Sequence, residues 1–587
     1  MMSKRWVIAE PAPPTLLRQY GGMSAVLAQV LYNRGFTQPE TARQFLDARE
    51  VAGRPFDSRV GMKGLNGGRG AVARIREAIQ GRQPIIVYGD FDADGVTSTV
   101  LMVQALRAVF RHQHPKTAPE LAEHCIKPYI PHRVDEGYGL NSDALRRLAR
   151  AGARLIITVD CGIRSVDEVD AGQAAGLDII VTDHHSIGPE IPNAFAVINP
   201  KQPDCNYPED MLAGVGVAFR LAEALLTVAR PRSLTSDDLL DLVAIGTVAD
   251  LAPLNRVENR ALVRRGLERI NTHPRPGIAA LLEVAGVKPG TVTAETIGYA
   301  IGPRINAAGR LESAMLAYDL LATDDPQRAG ELAVQLQSLN TQRQDLTRDA
   351  QEKIRARLEA DYAGDVPLIF ASDPHFRPGI VGLVAGRLVE EYFRPAVVME
   401  EGDTESRASC RSIPEFDITR ALDACADLLV RHGGHAQAAG FTVRNSNIDA
   451  LRRRLLAIAS AQLQGQDLRP SLNIDVAVET SQLSESLVNE LSQLEPTGHL
   501  NPAPVLASYG MRVLEARTVG KEGQHLKLKL ARAGQPPLDA IGFGLGEWAT
   551  QRLSLIDVAY RLEINEWNGS RALQLNVQDI RPVDSAR

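Results

Sequence analysis

The chain has 587 residues, 44% of them hydrophobic and 23% charged, with a formal net charge of −6. At about 100–200 residues per domain this is three to four domains of ordinary globular composition, which excludes collagen-like, coiled-coil and wholly disordered chains. The acidic balance excludes wholesale coating of nucleic acid but leaves room for a local basic groove. No apolar run approaches a membrane span, and the opening MMSKRWVIAEPAPPTLL is broken by charge and proline, so neither a span nor a signal peptide is expected. The cysteines Cys125, Cys161, Cys205, Cys410 and Cys425 are scattered, with no C-x-x-C pair. A disulfide framework or zinc knuckle is therefore not expected, and a cytoplasmic location is.

Residues 1–60 read as small helical pieces, among them TQPETARQFLD from Thr37 to Asp47 with Pro39 at an early helix position. From about Gly70 an α/β pattern sets in. AVARIREAIQ is amphipathic at the helical period, PIIVYGD is a short apolar run ending in a carboxylate, and the loop FDADG leads into the helical VTSTVLMVQALRAVF. The pattern recurs in ARLIITVDCG with SVDEVDAGQAAG, and in LDIIVTDHH with a proline-bearing loop. Continuously apolar strands alternating with helices predict a parallel sheet covered on both faces.

Ligands of such sheets bind outside the carboxyl ends of the strands. Those ends carry Asp90, Asp92 and Asp94, then Asp160, then Asp183, His184 and His185, while a fourth apolar segment, LLDLVAIGTVADL, delivers Asp250. From about Asp325 to Tyr362 strong helix formers dominate, predicting one helix of about 30 residues, roughly 45 Å long, as a rigid connector. A second α/β unit beginning at PLIFASD continues to about Ile458. Beyond Arg469, short alternating segments such as LNIDVAV, MRVLEART, HLKLKL and ALQLNV predict a small β-barrel. The expected architecture is thus an α/β chain with a helical segment over 1–60, a parallel-sheet lobe over 61–322 and a connecting long helix over 323–364. A second α/β lobe over 365–462 and an OB-like barrel over 463–587 complete it.

Any one aspartate at a strand end serves equally well as a cap or turn former. As a set, these carboxylates on one sheet edge repel one another unless cations sit between them. An extended Asp-x-Asp-x-Asp loop sends Asp90, Asp92 and Asp94 the same way. Carboxylates with one or two imidazoles suit Mn²⁺ or Mg²⁺, and two such ions about 3.5–4 Å apart serve phosphoryl transfer.

GDFDADG, VDCG, TDHH and TVADL match, in order, the four motifs of the DHH phosphoesterase superfamily, which the chain therefore resembles. The resemblance implies a first ion on Asp90 and Asp92, a bridging Asp160, and a second ion completed by Asp94, His184 and Asp250. It makes His185 a phosphate-facing residue and Asp183 either a ligand or a partner that orients His184.

GGHAQAAG, Gly433–Gly440, reads either as a tight helix-packing turn with a buried histidine or as a backbone cradle with His435 as phosphate donor. It resembles the signature of the DHH-associated (DHHA1) domain. RASCRSI puts Ser409 and Arg411 on one side of an extended segment, and IGPRINAAGRLE offers Arg304, Asn306 and Arg310, although Arg310 also has Glu312 as a surface partner. With Arg133 in IPHRVDEGYGL, these segments resemble one branch, the bacterial RecJ single-strand DNA exonucleases, over nearly the whole chain. That resemblance implies that Arg133, Ser409 and Arg411 hold a terminal 5′-phosphate and that Arg310 joins the substrate contacts.

From Met511 to Arg532 six Lys/Arg stand against two Glu, with Lys527 and Lys529 on one face of a strand. This is an ordinary solvated barrel face or a single-strand groove; Phe543, Trp548, Tyr560 and Trp567 are its candidate stacking residues, and each reads equally as a core residue. The expected function is 5′-to-3′ hydrolysis of single-stranded DNA to mononucleotides with two Mn²⁺ or Mg²⁺ ions. In it Asp160, His185, Arg304 and Asn306 carry the chemistry, and Arg133, Arg310, Ser409, Arg411, His435, Lys527 and Lys529 hold the strand. The competing readings are a DHH hydrolase of small substrates and a non-catalytic replication scaffold. A monomer is expected, with no membrane partner; the family adds a helicase and a single-strand-binding protein as partners.

Overall fold

The structure is a computed structural model that describes residues 4–48, 63, 70–133, 135–203, 205–361, 366–551, 553–567 and 570–583. The ends of the expected segments at 49–60, 362–364 and 584–587, and the Trp567 side chain, lie outside the described residues. The chain divides into two compact units, Glu50–Leu468 and a second formed by Met1–Arg49 with Arg469–Arg587. The first strand, β1 (Arg5–Ile8), belongs to the second unit.

The larger unit opens with five strands, β2 (Ile85–Tyr88), β3 (Ile126–Tyr129), β4 (Leu155–Val159), β5 (Asp178–Thr182) and β6 (Ala196–Ile198). They form one parallel sheet in the order β3-β2-β4-β5-β6. Leaving β2, the chain goes to β3 on one side and returns to β4 on the other, so the crevice of the sheet lies at the ends of β2 and β4. In register Tyr88 faces Thr158, and Thr158 faces Val181. Asp90, Asp160 and Asp183 each follow by two residues and come out at one level on three adjacent strands. Strand register, rather than loop flexibility, brings the acids together.

Two local expectations are corrected. LDLVAIGTVA is a helix, Leu240–Ala249, and Asp250 is its C-terminal cap rather than a strand end. A ten-residue apolar run that is buried all round carries no periodicity to separate helix from strand, and its length favours helix. The DFDADG loop is shorter than expected: helix Ala93–Gln113 starts inside it, with Asp92 as its N-cap accepting from the Asp94 and Gly95 N–H groups at 2.9 and 3.0 Å. Asp94 therefore projects from a first helical turn, and α-helical geometry replaces strand alternation there.

Helix Pro326–Asp361, 36 residues and about 54 Å long, packs along the helices that follow the parallel sheet and reaches the second lobe of the same unit. That lobe is a five-stranded sheet of β7 (Ile369–Asp373), β8 (Ala396–Glu400), β9 (Glu405–Arg411), β10 (Leu429–His435) and β11 (Ala438–Arg444), in the order β10-β11-β9-β8-β7. Asp373, buried at the end of β7, is gripped by Lys353 and Arg357 of the long helix at 2.5 and 2.6 Å. GGHAQAAG forms neither a helix-packing turn nor a buried histidine: it is the β10–β11 hairpin, with His435 exposed.

In the other unit β12 (Ser471–Ile474) pairs in parallel with β1, so the N-terminal segment opens with a strand before its helices Pro14–Gln19, Ala25–Asn33 and Pro39–Asp47. Trp6 Nε1 donates to Asp579 Oδ2 at 2.7 Å and Arg581 stacks on its ring. The barrel comprises the short β13 (Val476–Ala477) with β14 (Leu506–Val519), β15 (His525–Ala531), β16 (Leu538–Gly542), β17 (Leu555–Trp567) and β18 (Ser570–Pro582). Strands run β14-β15-β16-β18-β17, and β17 pairs back to β14, closing the ring. No helix among the described residues is long and apolar enough to cross a membrane.

Candidate active site and metal centre

Asp90, Asp92 and Asp160 bring one carboxylate oxygen each within 4.8 Å of one another, and Asp94, His184 and Asp250 do the same with their ligand atoms. Asp160, His184 and His185 form a third such group, so Asp160 is shared. Asp160 has φ +63°, a left-handed conformation uncommon outside glycine, which turns its side chain across the strand ends. The Thr158 hydroxyl fixes that turn by donating to the Cys161 carbonyl at 2.7 Å. Asp94 is held from behind by the Gly214 and Val215 N–H groups at 2.7 and 2.8 Å, the start of helix Gly214–Ala229.

The donor set fits cations. Asp90 Oδ1, Asp160 Oδ1 and His184 Nε2 are buried without a hydrogen-bond partner, although His184 Nε2 lies 3.2 Å from Asp160 Oδ1 and 3.7 Å from Asp250 Oδ2. Buried polar atoms left unpaired cost about 1–3 kcal/mol each. Carboxylate oxygens with an imidazole nitrogen are the ligand types of Mn²⁺ and Mg²⁺.

Electrostatics agree. Burial, then the neighbouring carboxylates, push Asp90 and Asp160 above the usual carboxylate range. Burial and Asp92 raise Asp94 to about 7 against the pull of its two amides, and burial and Asp94 raise Asp250 to about 9. Burial, then His185, lowers His184 to about 3, keeping a neutral, ligand-competent imidazole. A carboxyl group whose pKa is raised on folding favours the folded state while both states hold the proton, and loses that advantage as pH climbs from its unfolded value of about 4 through the folded one. Chelated protein is therefore expected to lose thermal stability as pH rises toward 7 and then 9, and Mn²⁺ to restore most of it at the alkaline end. Melting curves in EDTA and in Mn²⁺ at about pH 6 and about pH 8.5 check this; equal stabilisation by Mn²⁺ at both contradicts it.

Asp183 proves to be a bracket. Its oxygens accept the Ile163, His184 and His185 N–H groups and pair with His185 Nδ1 at 2.7 Å, so the ring it orients is that of His185, not His184. Burial disfavours the Asp183 charge, but these bonds hold it below the usual range. Burial likewise works against imidazolium at His185, and the Asp183 bond outweighs it and raises its pKa. His184 is the histidine directed at Asp160 and Asp250, with the Leu212 backbone as its other partner.

Beside the acids stand three guanidinium groups. Burial lowers the pKa of Arg133, Arg310 and Arg411; Asp90 and Asp92 favour the charge of Arg133, whereas Arg133 and Arg411 both disfavour that of Arg310. Desolvated, mutually repelling arginines are suited to receive an anion. Arg411 Nη1 donates to Ser409 Oγ at 3.1 Å, as the extended spacing predicts. Helix Pro378–Tyr392 packs closely here: a Cβ on Gly382 would lie 3.0 Å from Ser409 Oγ. Arg310 turns inward to donate to the Gly379 carbonyl at 3.0 Å, rather than lying on the surface. In register His435 faces Ala438, and Ala438 faces Arg411, so His435 stands two strands away on the same side of the sheet.

Arg304 and Asn306 are engaged elsewhere. Arg304 donates to Gln337 Oε1 at 2.8 Å and to the Ala300 carbonyl at 2.7 Å. Asn306 Oδ1 accepts the Ala93 N–H at 2.8 Å, bracing the helix start that carries Asp92 and Asp94. Sequence reasoning passed over Tyr138, whose exposed ring meets the His185 ring edge-on at 5.7 Å and whose hydroxyl lies 3.1 Å from its Nδ1. It also passed over Asn199 and Lys201, which bond the backbone carbonyls of His185 and His184 at 3.0 and 2.6 Å. Both follow β6 at its carboxyl end, the same signal that picked out the aspartates.

On the barrel Leu526, Leu528 and Leu530 point inward and Lys527 and Lys529 outward. Lys527 faces Arg517 and Ile541 across the ladder, whereas Lys529 faces Glu515 and Asp539. Of these aromatics, Tyr560 is core and Trp548 packs against that core, the alternative open to each of them in sequence, while Phe543 is 61% exposed and touches His525 edge-on.

Family models match residues 84–247 as the DHH family N-terminal domain, 365–461 as the DHHA1 domain and 474–579 as the RecJ OB domain. The chain is 36% identical over 581 residues to the single-stranded-DNA-specific exonuclease RecJ of Bacillus subtilis, covering 98% of this chain and 70% of that one. The crystal structure of RecJ in complex with Mn²⁺ from Thermus thermophilus superposes with a TM-score of 0.81 at 31% identity, covering 99% of this chain and 80% of that one. Its Mg²⁺ complex gives 0.76 at 30% identity, with 99% and 79% covered. With a group of Asp90, Asp92 and Asp160 beside one of Asp94, His184 and Asp250, an arginine cluster next to them and an OB barrel in the same chain, the chain belongs to the RecJ family of single-stranded-DNA-specific exonucleases.

Proposed function

We propose that this chain removes mononucleotides from the 5′ end of single-stranded DNA with two Mn²⁺ or Mg²⁺ ions. The observation that carries the reading is a buried, unpartnered set of Asp90, Asp160 and His184 ligand atoms lying beside Arg133, Arg310 and Arg411. Bound cations supply the Lewis acidity that activates water and stabilises a departing oxygen. Asp90, Asp92 and Asp160 would hold one ion, and Asp94, His184 and Asp250, with Asp160 3.2 Å from His184, would hold the other. His185, its Nδ1 tied to Asp183, keeps Nε2 for a phosphate oxygen. Arg133, Arg310, Ser409 and Arg411 take the terminal 5′-phosphate, with His435 further along the same face. Asn306 acts by bracing the Ala93 turn, and Arg304 by tying its helix to the long connector.

Phosphate contacts carry no sequence information, so base identity is of little consequence. Cleavage that leaves phosphate on the shortened strand regenerates the end these arginines recognise. The reading includes a monomer working in the cytoplasm on strands made available by a helicase or single-strand-binding protein.

Digestion of strands bearing a 5′-phosphate, a 5′-hydroxyl or a blocked 3′ end, with Mn²⁺ supplied and omitted, tests it. Release of mononucleotides from the 5′-phosphorylated and 3′-blocked strands, only with Mn²⁺, is expected. Arg411→Ala is expected to erase the preference for 5′-phosphate over 5′-hydroxyl by about tenfold to a hundredfold, the worth of a charged hydrogen bond of about 1.5–3 kcal/mol. Degradation stopped by the 3′ block rejects the polarity.

The barrel assists through Phe543 and Lys527, whereas the neighbouring Arg517 is already paired with Glu515 at 3.0 Å. Phe543→Ala is expected to weaken single-strand binding by about fivefold or more, since base stacking contributes about 1–3 kcal/mol. Lys527→Ala lowers the salt slope by about 1, and Lys529→Ala, flanked by acids, does less. Binding isotherms over a salt series check this; equal slopes for all three variants and the parent remove the barrel from the substrate path.

A further inference from the structure

Asn259, 1% exposed in helix Val257–Thr272, has not figured among the ligands or substrate contacts. Its Nδ2 donates to two carbonyls, Met211 at 2.8 Å and Pro253 at 3.2 Å. Both partners are acceptors, which fixes the orientation of the amide. Met211 begins the segment that supports two members of one metal group: Leu212 is the backbone partner of His184, and Gly214 and Val215 donate to Asp94. Pro253 lies three residues after Asp250, the third member, beyond a Leu251 held at φ +59°. Met211 is also tied on its other side, its N–H donating to Glu209 Oε1 at 3.0 Å.

One amide thus joins the two loops on which the Asp94–His184–Asp250 group depends, and neither of its two carbonyl partners belongs to the segment that carries Asp90 and Asp92. We infer that Asn259 is a positioning residue for that ion site, setting its affinity through the spacing of the 211–215 and 250–253 loops. Partners behind a ligand shell typically alter metal affinity by about 10–100-fold when removed. The inference rests on the two-ion reading above.

Calorimetric titration of the full chain with Mn²⁺, together with the electron paramagnetic resonance signal of a spin-coupled Mn²⁺ pair, tests it. For Asn259→Ala one ion is expected to bind as in the parent and the other about 10–100-fold more weakly, with loss of the coupled signal at limiting Mn²⁺. Asn259→Asp keeps the shape but sets a carboxylate against two carbonyls, and is expected to show the same selective loss; it decides the matter if the alanine variant fails to fold. Two sites within twofold of the parent, or both weakened in parallel, overturn the inference while leaving the two-ion reading intact. A parent chain that takes up no Mn²⁺ overturns both.

Discussion

Asp160→Ala is expected to lower cleavage of single-stranded DNA by at least about a thousandfold, while binding to the strand in EDTA stays within about threefold. Asp160 belongs to the Asp90–Asp92 group and also lies 3.2 Å from His184 of the other, so in the proposed two-ion reading its removal weakens both sites, and Lewis-acid stabilisation amounts to several kcal/mol of barrier. In the proposed reading strand binding rests on Arg133, Arg310, Ser409, Arg411 and the barrel, which the substitution leaves in place. The left-handed backbone at this position complicates alanine, which dislikes φ +63° as a β-carbon residue must. Asp160→Asn separates the effects, because asparagine tolerates that region and keeps the shape while losing the charge. It should fold as the parent does and lose nearly as much activity. Cleavage within tenfold of the parent at saturating Mn²⁺ removes Asp160 from the centre.

Gly214→Ala is expected to cost at least about a hundredfold in activity and a comparable factor in Mn²⁺ affinity, without loss of helix content. A Cβ there would lie 2.5 Å from Asp160 Oδ1 and 2.6 Å from its Cβ, closer than nonbonded atoms approach. Asp160 has nowhere to retreat, since the Thr158–Cys161 bond holds its turn. Moving the helix start instead withdraws the two amides from Asp94. Alanine is otherwise the better helix former by about 1 kcal/mol, so circular dichroism should show no deficit. Gly330→Ala, where a Cβ meets nothing within 4 Å, is the matched control and should be active. Equal activity of the two variants, read by initial rates and Mn²⁺ titration, contradicts the packing argument.

The strand-end acids were legible because register is repetitive. Asp90, Asp160 and Asp183 each follow an apolar run by the same offset, and a parallel sheet turns equal offsets into spatial proximity. Asp250 and Asp94 were found after apolar runs too but given the wrong backbone, since a uniformly buried run hides its period and the N-cap Asp92, which starts the helix carrying Asp94, looks like a loop residue. The supporting contacts were illegible for a different reason. Gly214 meets Asp94 across 120 residues and Asn306 meets Ala93 across 213, and neither leaves a local pattern. The same holds for β1, whose partner β12 lies at the far end of the chain. Aromatic candidates on the barrel could not be sorted without burial: Tyr560 and Phe543 look alike in sequence and differ wholly in exposure.

Anomalous diffraction from a crystal soaked in Mn²⁺ tests the central claim most directly. Two peaks are predicted, one among the oxygens of Asp90, Asp92 and Asp160 and one among Asp94, His184 and Asp250, with Asp160 within bonding distance of both. A map with no peak among these side chains, and the carboxylates turned apart, contradicts it.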